Sequence, residues 1–132
     1  MQEEWRTQLF RSEPVESPLN HLGFPKSIAE GRRILQICHD TWKRWEELAT
    51  SIPEYKLLQI KMRNKFSRNG KAAPITPYQI WVIGKIGELY QKMPDGILKE
   101  PLVKEYIDAK KDEFTRQSYE TEQVRYTTLV LN

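Results

Sequence analysis

The sequence predicts an all-α protein, a compact bundle of about four to five helices over residues 27–125, with an irregular N-terminal arm (1–26) and an extended C-terminal tail (126–132). Three observations lead there. Apolar residues recur at helical spacing through the middle of the chain. Ser/Thr-x-x-Glu/Gln capping boxes precede three of those runs, and neither 63–77 nor 94–111 alternates as a strand would.

The arm holds Pro14, Pro18 and Pro25 and no sustained period; one short helix is expected around Glu3 to Phe10, docked through Trp5, Leu9 and Phe10. Ser27-x-x-Glu30 opens a helix whose stripe of Ile28, Leu35, Cys38, Trp42, Trp45 and Ala49 reaches Thr50. Ser51-x-x-Glu54, with Pro53 in the first turn, starts a second helix that buries Tyr55, Leu58, Met62 and Phe66 and stops at Asn69-Gly70. Thr76-x-x-Gln79 opens a third, running to Met93. It is apolar on most of its circumference and so is expected at the centre, where Gly84 and Gly87 admit a close neighbour. Pro101 begins a fourth, with Leu102, Val103, Tyr106, Ile107 and Phe114 inward and Lys104 paired with Asp108 one turn on. The tail, Tyr126-Thr-Thr-Leu-Val-Leu131, favours an extended state.

Composition narrows the function classes. At 132 residues, with four Trp, six Tyr and four Phe, the chain can build one folded core. One cysteine and two histidines supply neither a disulfide framework nor an ordinary structural zinc site. The acidic start Met1-Gln-Glu-Glu does not read as a signal peptide, and the longest apolar run, Ile80 to Ile83, is far below the roughly 20 residues of a membrane span. A soluble cytoplasmic protein without membrane contacts is expected.

Charge is the most informative feature. Tyr55 to Gly87 carries seven basic residues and no Asp or Glu, whereas the rest of the chain has 14 basic and 18 acidic side chains. A one-sign segment repels itself unless something negative lies on it, and clustered Lys and Arg is the footprint of a polyphosphate partner. The block comprises Lys56, Lys61, Arg63, Lys65, Arg68, Lys71 and Lys85, with Asn64, Ser67 and Asn69 as neutral donors to phosphate. On the first helix, Arg32-Arg33 and Lys43-Arg44 are 11 residues apart and return to nearly the same face about 16 Å along the axis, extending the track. Phe66, Tyr78 and Trp81 are interleaved aromatics that could stack on bases, although their spacing suits core packing.

No catalytic constellation is recognisable, and no cofactor is implied. Cys38 and His39 are consecutive, so a helix points them about 100° apart; Cys38 reads as a small core residue, and His21 has no evident partner. The pairs Glu46-Glu47 and Asp112-Glu113 read as solvated, salt-bridged faces.

Val82-Ile83-Gly84-Lys85-Ile86-Gly87 is similar to the GxxG signature of KH domains, in which a loop between helices clamps a single strand. The KH fold needs flanking strands that this sequence does not supply. A small, cysteine-poor, helical chain with a basic face also resembles, over roughly residues 27–119, the small subunit of CRISPR Cascade-like effector complexes. That resemblance rests on architecture and charge, not on a motif. It implies a non-catalytic subunit beside other protein subunits, contacting the guide–target duplex or the displaced strand through phosphates without sequence specificity. A protein-interaction module using the basic face fits the same charges. A free-standing helix-turn-helix regulator fits less well, because the third helix is too apolar to lie in a groove.

Overall fold

A computed structural model describes residues 2–12, 25–67 and 72–131. Among them are seven α-helices, α1 (Gln2–Ser12), α2 (Ile28–Leu35), α3 (His39–Ala49), α4 (Pro53–Phe66), α5 (Pro77–Lys92), α6 (Lys99–Ala109) and α7 (Arg116–Tyr126), with a 3-10 turn at Lys111–Phe114. The all-α class holds, with more helices than the sequence pattern indicates. No strand occurs among the described residues, only a bridge in which Lys26 and Ile75 exchange backbone hydrogen bonds at 2.7 and 2.8 Å. No helix of the described residues is long and apolar enough to cross a membrane.

Helix α5 is the axis of the bundle. Its capping box forms as the sequence indicates: Thr76 Oγ1 accepts from the Gln79 N–H at 3.3 Å, and Gln79 Oε1 accepts from the Thr76 N–H at 2.8 Å. From Pro77 to Leu89 only Lys85 and Glu88 escape full burial, and α1, α2, α3, α6 and α7 all pack on this helix. Gly84 and Gly87 do admit close neighbours, but these are indole rings, Trp5 on Gly84 and Trp45 on Gly87. The GxxG stretch therefore lies inside a buried helix, and the loop that a KH clamp needs is not formed there.

The helix expected from Ser27 to Thr50 is two helices. Ser27 Oγ accepts from the Glu30 N–H at 3.0 Å as its cap. After Leu35, Gln36 turns left-handed (φ 57°, ψ 47°), its N–H reaching the Arg33 carbonyl while the Ile37 N–H reaches that of Arg32. That paired reversal closes a helix and is more usually built on glycine. Cys38 then becomes the extended residue that starts α3, and it is exposed rather than in the core.

Further expectations are corrected. Ile52, not Ser51, precedes α4; Ser51 Oγ donates to the Leu48 carbonyl at 2.8 Å, and the Glu54 carboxylate accepts from the Arg116 N–H at 2.6 Å, satisfying a free donor at the start of α7. Phe66, at the last turn of α4, and Leu102, on α6, are 38 % and 39 % exposed instead of inward, and Phe114 is buried from the 3-10 turn rather than from α6. Helix α6 begins at Lys99, so Pro101 lies within its first turn, where no intrahelical donor is lost. The tail is not extended: α7 runs to Tyr126 and Thr127–Leu131 continue as a π-helical turn.

Packing against α1 explains the tail. Tyr126 Oη lies 2.6 Å from Thr7 Oγ1 and its ring meets Phe10 at 5.4 Å, contacts that outweigh the strand preference of the β-branched residues that follow. Most of the described arm is α1 itself, a core helix that buries Trp5, Leu9 and Phe10. Residues 13–24, with His21, and Asn69-Gly70, the expected stop of α4, lie outside the described residues.

Candidate nucleic-acid interface

Helix α4 is held by Tyr55, Leu58, Gln59 and Met62, all buried, and everything opposite them is in solvent. At about 100° per residue, Lys56 and Arg63 fall on one edge of the buried stripe and Lys61 and Lys65 on the other. All four are exposed, and none has a carboxylate within ion-pair distance among the described residues. Between the two cationic edges stand Leu57 and Ile60, 69 % and 42 % exposed, with Asn64. Phe66 falls in line with the buried stripe at the end of the helix, 38 % exposed, with the Lys65 ammonium 5.4 Å from its ring centre.

The other predicted cations do not all join this face. Lys43 and Arg44 are exposed on α3, one short turn of chain before α4. Arg33 is exposed and lies 4.0 Å from Glu30, while Arg32 is half-buried with an Nε that has no hydrogen-bond partner among the described residues. The reversal at Gln36 separates α2 from α3, so the expected straight track from Arg32 and Arg33 to Lys43 and Arg44 does not form. Arg68 and Lys71 lie outside the described residues.

Lys85 belongs to the fold. Its ammonium donates to the Glu113 carbonyl at 2.8 Å and sits 4.6 and 4.9 Å from the ring centres of Trp81 and Phe114. Burial pulls its pKa below the ordinary 10.5, offset in part by Glu122 and Glu113. Tyr78 and Trp81 are equally committed: the Tyr78 hydroxyl donates to the Phe114 carbonyl at 2.5 Å and the Trp81 indole N–H to Glu122. Of the three aromatics considered for base stacking, Phe66 alone is exposed.

Sequence reasoning missed the strongest ionic contact. Arg6 of α1 binds Glu88 of α5 through both terminal nitrogens and Glu122 of α7 through Nε at 3.0 Å. The partners are 82 and 116 residues away, and no local pattern joins them. Among the described residues no group of His, Cys, Asp and Glu is placed to hold a metal ion. Cys38 keeps its thiol at the surface, 3.3 Å from Thr41 Oγ1, and hydrogen bonding to Thr41 lowers its pKa from the ordinary 9.0. Compared with protein families, curated proteins and solved structures, the chain matches none.

Proposed function

We propose that the outward face of α4 binds the phosphate backbone of a nucleic acid, and that the protein is a non-catalytic subunit of a ribonucleoprotein of the CRISPR effector kind. One observation carries the backbone-binding reading: four exposed cations flank one helix face, and none has a carboxylate within ion-pair distance among the described residues. A dense one-sign face of this kind raises the local potential and attracts a polyanion. Contacts of this kind give affinity and orientation without reading sequence. Lys61→Glu combined with Lys65→Glu should abolish binding to single-stranded and double-stranded probes while helical circular dichroism is unchanged; undiminished binding would reject the reading.

A second reading has its own observation. Leu57 and Ile60 stand in the middle of the cationic face, an arrangement suited to an acidic protein segment with an apolar anchor. Leu57→Ser separates the two, since a phosphate backbone loses little from that change and an apolar anchor loses much.

A further inference from the structure

Behind the same helix lies a cavity of about 420 Å³, bounded by α3, the C-terminal half of α4 and the chain that enters α5. Met62, Pro74 and Ile75 give it apolar walls, and Glu46, Gln59 and Arg63 are its principal polar groups. Gln59 is 5 % exposed, and its Oε1 has no hydrogen-bond partner among the described residues. A buried amide oxygen left without a donor is costly, and a half-turn of the amide presents either its oxygen or its NH₂ to the cavity. The Tyr55 hydroxyl, on the same buried side of α4, also lacks a partner at normal geometry.

Apolar walls with an acceptor pair, a guanidinium and an unpartnered amide oxygen suit a flat heterocycle with a polar edge. Guanine matches most completely: its N1–H and N2–H₂ donate to a carboxylate such as Glu46, and its O6 accepts from Arg63 or the Gln59 amide. Thymine offers one donor between two acceptors, and adenine a single amino group beside an acceptor. We propose that this cavity takes one unstacked guanine from a strand held on the cations of α4. This rests on the backbone-binding reading and adds a single-base preference to it. Arg63 serves both, at the rim of the cavity and on one cationic edge.

The test compares binding of a short all-thymine DNA with the same strand carrying one central guanine, adenine or deoxyinosine, which lacks the N2 amino group. The guanine strand should bind about tenfold more tightly than all-thymine, and deoxyinosine should lose most of that gain. Glu46→Gln and Gln59→Leu should each erase the preference while all-thymine binding and helicity persist. Equal binding of all four strands by the wild-type protein would overturn the guanine site and leave backbone binding standing. A preference that survives both substitutions would also overturn it. Failure of every strand to bind at low salt would reject the backbone reading and this one with it.

Discussion

The Trp5 indole lies so close to Gly84 that a Cβ on the glycine would sit 2.7 Å from the ring. Helix α1 is thereby seated on the central helix α5, which α3 and α6 also contact. Gly84→Ala would gain helix propensity of about 1 kcal/mol but force the indole out of its seat, a steric cost of about 1–3 kcal/mol. Net destabilisation in denaturant melts is expected, with Trp5→Ala in the same background relieving part of it. A melting curve for Gly84→Ala at or above wild type would show that the ring has room to move.

Arg6 ties three helices through Glu88 and Glu122, and all three side chains are largely shielded, with 15 %, 15 % and 30 % of their side-chain surface exposed. Arg6→Met should cost about 2–3 kcal/mol, since it removes charge-assisted hydrogen bonds and leaves two carboxylates facing each other. Adding Glu88→Gln should recover part of the loss, a coupling that a double-mutant cycle measures directly.

Alkaline pH should unfold the protein through its tyrosines. Burial raises the Tyr55 and Tyr78 hydroxyls above the ordinary 10.0, with the charges of Glu46 and Glu54 respectively adding to it. A raised folded-state value means the neutral phenol is favoured in the fold. The resulting stability is complete below pH 10.0 and is lost as pH climbs beyond it. Lys85 works in the opposite sense between its lowered value and 10.5, because losing the proton relieves its burial. Tyr55→Phe should change stability by no more than about 1 kcal/mol at neutral pH, since the hydroxyl has no partner at normal geometry, and should carry helicity to higher pH. An unchanged alkaline limb would assign that transition to other groups.

Lys85 and Lys61 should behave in opposite ways. Lys85→Met removes a cation held over Trp81 and Phe114, so it should alter the melt and leave nucleic-acid affinity as it was. Lys61→Ala touches an exposed side chain and should do the reverse, lowering affinity and the salt slope with stability within about 0.5 kcal/mol.

The parts of the fold that were legible in the sequence are those set by local chemistry. Thr76-x-x-Gln79 forms the capping box that it spells, Lys104 and Asp108 pair at 3.3 Å, and the apolar run from Ile80 to Leu89 is the buried axis. What was hidden depends on distant partners. Gln36 breaks the first long helix without a glycine or proline to announce it. Helix α7 hides its character because its buried residues are Tyr119 and Gln123, which make a weak apolar stripe. In the candidate site, Lys56, Lys61, Arg63 and Lys65 were legible from charge and helical spacing alone. The commitment of Lys85 to the Glu113 carbonyl and the unpartnered Gln59 Oε1 were not, since both are set by segments remote in sequence or by burial.

The most direct test of the account is the salt dependence of binding to a single-stranded oligonucleotide. Engagement of Lys56, Lys61, Arg63 and Lys65 predicts measurable affinity at low salt and a slope of log affinity against log salt of about −3. A flat salt response, or no binding at low ionic strength, would contradict it and leave the cationic face of α4 to an acidic protein partner.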